Sequence, residues 1–90
     1  MSDVLAKRTG TILDIMPMNG KDYSLTEMQH YVGGHIETVD VGDGWVVVLD
    51  EEGKQKYKLP NPIATNWLLD AGIYDWVAGD AMLIERAHIK

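Results

Sequence analysis

Three histidines, one adjacent pair of acids and a row of lysines are the residues of this chain whose types could do chemistry. A metal site needs ligands that converge, as histidines four apart on one helix face do. Here His30 closes one segment, Gly33-Gly34 reverses the chain, and His35 opens the next with Glu37 two residues on. That spacing matches no closed metal site, so no metal ligand is assigned, and His88, near the end of the chain, is expected to be exposed. Cysteine is absent, which removes thiolate metal sites, disulfides and cysteine nucleophiles together. Serine catalysis needs a hydroxyl presented beside a base. Ser24 is accounted for by helix capping, and Ser2 lies in a stretch, residues 1–9, expected to fray. Glu51 and Glu52 could share acid–base work, but adjacent side chains in a turn diverge. No catalytic residue and no cofactor is assigned.

The charge pattern is more informative. Asp40, Asp43, Asp50, Glu51 and Glu52 have no base among them, and Lys54, Lys56 and Lys58 follow at once. The plain reading is hairpin solubility and protection of a sheet edge. The sharper reading makes the lysine row an anion-binding edge for a nucleotide phosphate or an acidic partner. No glycine-rich loop leads into a helix to support it, since Gly33-Gly34 follows one. Asn61-Pro62 does open a helix, and there the amides of Ile63 and Ala64, with the Asn61 and Thr65 side chains, could hold a carboxylate or phosphate. Ordinary capping explains the same residues.

These groups must be positioned by short elements. Thr11–Met16 is rich in branched apolar residues and stops at Pro17, which suits a strand. Ser24-Leu25-Thr26-Glu27 fits a capping box, with Tyr23 and Met28 as a hydrophobic staple and Leu25, Met28 and Val32 on one helical face. Gly33 ends that helix. From His35 the period changes to two, Gly42-Asp43-Gly44 turns the chain, and Trp45–Leu49 is apolar on both faces, as an inner strand is. Asp50–Gly53 resembles a turn closed by a left-handed glycine, returning into Lys54–Leu59 as a lysine-bearing edge strand. A second helix starts at Asn61-Pro62, lines up Ile63, Trp67, Leu68 and Ala71, and stops at Gly72. Ala81–Arg86 reads as the last strand. The sum is an α+β fold of about five mainly antiparallel strands with two short helices packed on the sheet.

Ninety residues are one domain, 1–90, with a core too small to spare much volume for a deep cleft. The net charge of −6 opposes direct nucleic-acid binding. No apolar run approaches a membrane span, and the first residues lack a secretory signal, so a cytoplasmic protein is expected. The aromatic set is three Trp and four Tyr with no Phe, so every ring carries a polar handle suited to interfaces. Tyr23, Trp45 and Trp67 are expected in structural roles, which leaves Tyr31, Tyr57, Tyr74 and Trp76 as candidate contacts. With Glu51, Glu52, Lys56, Lys58, Asn61 and Thr65 they make up the candidate binding residues.

Several segments in order also resemble a known family. Tyr23-Ser24-Leu25-Thr26-Glu27-Met28-Gln29, Val32-Gly33-Gly34-His35-Ile36-Glu37, Asp50-Glu51-Glu52-Gly53-Lys54, Leu59–Thr65 and Val77–Ala81 are similar to the domain-of-unknown-function family numbered 3846. Asp50 stands where that family's turn typically has Asn. The resemblance implies a small protein of phages, plasmids or other mobile elements and brings no known activity. By analogy with small accessory proteins in such a setting, the expected function is non-enzymatic binding of a host component, a counter-defence protein inhibiting a host protein stoichiometrically. The alternative is a sponge for a nucleotide signal, and a small hydrolase ranks third. The partner is a host protein or a nucleotide signal, and the chain is a monomer or a homo-oligomer.

Overall fold

Residues 2–90 are described by a computed structural model, in which branched apolar runs form one sheet and capping residues set the helix starts. The strands are β1 (Asp3–Ala6), β2 (Ile12–Ile15), β3 (Ile36–Gly42), β4 (Trp45–Asp50) and β5 (Ala81–Glu85). They are ordered β2-β1-β5-β4-β3 with every neighbouring pair antiparallel. The longer helices are α1 (Leu25–Val32) and α3 (Pro62–Asp70), and α2 (Gly53–Lys56) is a single turn between β4 and α3.

Alternation along β4 decides the layering. Successive strand side chains point to opposite faces, so Val46 and Val48 join Leu5, Met82, Ile84 and the α1 residues Met28 and Val32 in one core. Val47 joins Ala81, Val77 and the α3 residues Ala64 and Leu68 in the other. The α+β fold is therefore three layers deep, one helix on each face of the sheet.

Both helix starts follow the local chemistry. Ser24 Oγ accepts from the Glu27 amide at 3.1 Å, and Gly33 at φ +83° closes α1. Asn61 Oδ1 accepts from the Ala64 amide at 3.2 Å, with Pro62 in the first turn. The β3–β4 hairpin turns through Asp43 and Gly44, both at positive φ as a tight hairpin turn requires.

The structure differs from the sequence expectations at several places. The stretch 1–9 does not fray at residues 3–6, which form β1, hydrogen-bonded to β2 on one side and β5 on the other; Met1 lies outside the described residues. Lys54–Leu59 is not an edge strand: its first residues close α2, and the edges are β2 and β3. Gly53 is not left-handed. It is small because its backbone presses on Ala78, whose carbonyl oxygen would lie 2.2 Å from an added Cβ. The Glu27 carboxylate reaches not to Ser24 but to the Met18 amide at 2.8 Å, tying the preceding loop to α1. Leu25, expected on the buried face, is 57% exposed, and Ala71 is exposed at the end of α3.

Candidate functional site

The loops after β4 and before β5 are knitted together by buried polar groups. Asp50, buried, accepts from the Glu52 amide at 2.9 Å through Oδ1 and from Lys56 Nζ at 2.8 Å through Oδ2. Lys56 Nζ also donates to the Gly33 carbonyl at 3.3 Å, so α2 is clamped to the end of α1. Its hydrogen bond to Asp50 raises the Lys56 pKa above the ordinary lysine range. Asn61 is fully buried. Its amide nitrogen donates to the carbonyls of Ala6 at 3.0 Å and Gly79 at 2.9 Å, while Thr65 Oγ1 accepts from the Val77 amide at 3.0 Å. Every hydrogen-bonding arm of Asn61 thus holds β1, α3 and the 77–79 loop in register.

Three concave surfaces surround this frame. The first is a cleft of about 330 Å³ between the C-terminal end of α3 and the β3–β4 hairpin. Trp45, Trp67, Val41 and Leu83 form its apolar wall, Asp43 and Asp70 stand on it, and among the described residues no cation lines it. The second, of about 280 Å³, is lined by Arg8, Lys56, Tyr57, Lys58, Leu59 and Pro60, with the Arg8 guanidinium 4.7 Å from the Tyr57 ring centre. The third, of about 100 Å³, includes Glu37, Glu51, Lys54, Asp75 and Trp76. There Lys54 pairs with Asp75 at 2.6 Å and lies 5.0 Å over the Trp76 ring. The Lys54 hydrogen bond, with the Trp76 amide, holds the Asp75 carboxyl below the usual carboxylate range.

A fourth cluster lies on the α1 side. Buried Asp3 accepts from the Tyr23 hydroxyl at 3.0 Å and from the Glu85 amide at 3.0 Å, and His88 Nδ1 sits 2.7 Å from Asp3 Oδ2. Burial, then the Asp3 hydrogen bond, pushes the Tyr23 hydroxyl pKa far above the ordinary tyrosine range. Asp3, Glu85 and His88 bring one ligand atom each within 4.8 Å of one another. Main-chain bonds from Tyr23 to His88 and from Lys90 to Tyr23 run alongside. The cluster fastens both chain ends to the start of α1. Ser2 lines a cavity beside it, with no hydrogen bond to His88 among the described residues.

The family model described as a domain of unknown function, DUF3846, matches residues 5–88. The chain belongs to the DUF3846 family. No curated protein and no solved structure matches it. The matched span covers the frame around Asp50 and Asn61 and each of the first three cavities.

In this DUF3846 chain the expected contact residues separate into groups. Lys56, Tyr57 and Lys58 meet in the second cavity, where Arg8 joins them from the β1–β2 hairpin. Glu51 and Trp76 share the third, and Glu52 caps α2 without a side-chain hydrogen bond. Tyr74, 90% exposed, stands alone beyond α3. Tyr31 is half-buried, edge-on to Tyr23 at 6.3 Å, and packs against the α1 core. Asn61 and Thr65 are engaged in the frame. Sequence reasoning missed Arg8, because residues 1–9 read as a fraying end. It placed Trp45 and Trp67 in the interior, whereas both are half-buried and line the first cleft. His88, expected exposed, is half-buried against Asp3.

Proposed function

We propose that this protein is a non-enzymatic accessory protein of a phage or other mobile element that binds a host protein stoichiometrically in the host cytoplasm. The contact is the Trp45–Trp67 cleft, and it takes a lysine or arginine side chain from a basic partner surface. One observation carries the reading: two tryptophans and two carboxylates, Asp43 and Asp70, line a single open cleft with no cation among the described residues of its wall. Indole faces attract cations, by about 0.5–2 kcal/mol depending on desolvation, and neighbouring carboxylates add to the attraction. Trp anchors of this kind supply much of the binding energy of protein interfaces. The chain's net charge of −6 steers a basic partner toward it. The mobile-element setting is what the family resemblance implies.

The experiment is affinity recovery from host extract with three baits: the native protein, Trp67→Ala and Asp70→Lys. One basic protein retained in stoichiometric amount by the native bait and lost from both variants is the expected result. Equal retention by all three baits, or catalytic turnover of the recovered component, would remove the reading.

A further inference from the structure

We propose that Arg8, Tyr57 and Lys58 form a second, separate site that binds the phosphate group of a small soluble phosphomonoester. The chain has eight Lys and Arg against fourteen Asp and Glu, so cations without an acidic neighbour are scarce. Lys7 pairs with Asp80, Lys54 with Asp75, Lys56 with Asp50 and Arg86 with Asp40. Among the described residues Arg8, Lys21, Lys58 and Lys90 have no carboxylate in ion-pair range. Two of these four line the same cavity, and no acid among the described residues lines it. In a protein this acidic, two cations without an ion-pair partner share one cavity wall, and a dianionic phosphate matches their joint charge.

The geometry is held in place from several sides. The Arg8 amide donates to Asp80 Oδ1 at 2.8 Å, which fixes the hairpin bearing it. Its guanidinium lies over Tyr57, leaving the planar fork to take two phosphate oxygens at once. The Tyr57 amide donates to the Gly53 carbonyl at 2.8 Å, and its ring atoms Cε2 and Cδ2 rest so close to Gly79 that a Cβ there would stand 3.1 and 3.3 Å away. Pre-placed donors lose little freedom when the ligand arrives. Lys56 lines the pocket too, but its charge is matched by Asp50, so the free charge is that of Arg8 and Lys58. Leu59, 78% exposed, and Pro60 give an apolar wall for the body of the ligand. A cavity of about 280 Å³ admits a phosphate with part of its carrier.

The test is calorimetric titration of the full chain with inorganic phosphate, with adenosine monophosphate and with adenosine. Binding of the two phosphates and none of adenosine is expected, and Arg8→Gln and Lys58→Gln each weaken it at least tenfold. Both side chains are exposed, so the variants should fold, which circular dichroism checks. Lys21→Gln removes an unpaired cation outside the cavity and leaves the affinity unchanged. The proposal is overturned if neither phosphate binds at millimolar concentration, if adenosine binds as well as its monophosphate, or if Lys21→Gln weakens binding as much as Lys58→Gln. Vesicles carrying phosphatidic acid distinguish the source of the phosphate: binding to them in preference to the soluble phosphates also overturns it. Asp70→Lys leaves phosphate affinity in place, which keeps this site distinct from the protein-binding cleft.

Discussion

Asp3 and Tyr23 show how one buried polar pair can govern an end of the molecule. The Tyr23 hydroxyl gives buried Asp3 one of its hydrogen bonds, with the Glu85 amide and His88 completing the set. Tyr23→Phe keeps the ring in the core and removes that donor, at a cost of about 1–2 kcal/mol in urea unfolding. The same pair sets an alkaline limit. Unfolded tyrosine ionises near pH ~10, whereas burial and Asp3 keep the folded hydroxyl neutral well above that. Protons are then bound more tightly in the folded state, so the contribution is intact below about pH 10 and fades as pH rises past it. Tyr23→Phe should flatten that alkaline loss, and an unchanged slope between the two proteins would count against the assignment. Lys56 carries a related lesson: its partner Asp50 is buried, so neutralising Lys56 strands a carboxylate and confounds any binding test.

Element by element, the connection from β4 to α3 is where the fold is most constrained. Gly53 begins α2 directly against the Ala78 carbonyl, which is backbone and not the yielding end of a side chain. Gly53→Ala should cost about 3 kcal/mol, toward the upper end for overpacking, read as a drop in melting temperature. Asn61→Ala removes the cap of α3 and the side-chain donor to the buried Ala6 and Gly79 carbonyls. Cap loss of about 1 kcal/mol and two lost buried hydrogen bonds of about 1 kcal/mol each together predict a loss of about 3 kcal/mol. Chemical denaturation measures it, and a loss under about 1 kcal/mol would mean that the two carbonyls find other donors. Both caps were legible in the sequence, because a cap bonds to an amide only three residues on. The period-two pattern of Lys54–Leu59 misled for the opposite reason. Alternation describes a strand only when a partner strand is free to pair, and here β4, along which the segment would return, is already flanked by β3 and β5.

Across the whole molecule, charge is divided between an acidic cleft at the β3–β4 end and a basic pocket by Arg8 and Lys58. Exposed charges interact through a screening atmosphere whose reach falls from about 14 Å near 50 mM salt to about 4 Å near 500 mM. Association of a basic partner with the cleft should therefore slow by about tenfold or more over that range, with dissociation changing less. Stopped-flow measurement with the recovered partner checks this, and an association rate indifferent to salt would argue that the carboxylates are bystanders. Asp43→Lys should slow association in the same way at low salt. Of the candidate contacts, the Lys56–Lys58 group was legible as a charge run. Its companion Arg8 was not, since nothing local announces that β1 lies beside the loop after α2.

By itself the sequence determined the helix starts at Ser24 and Asn61, the stops at Gly33 and Gly72, the double-faced strand β4, the α+β class and the family. Each rests on interactions within a few residues or on a period repeated along one segment. The tertiary structure alone decided that Asp3–Ala6 is an inner strand, that Lys54 and Lys56 sit in a helical turn, and which side chains meet. Asp3 and His88 are 85 positions apart. Arg8 reaches Tyr57, and Trp45 comes to share a cleft with Trp67, only once the sheet order is set and α3 covers its face. Such pairings depend on which strands become neighbours, and that is settled by how two hydrophobic cores close together on opposite sides of one sheet.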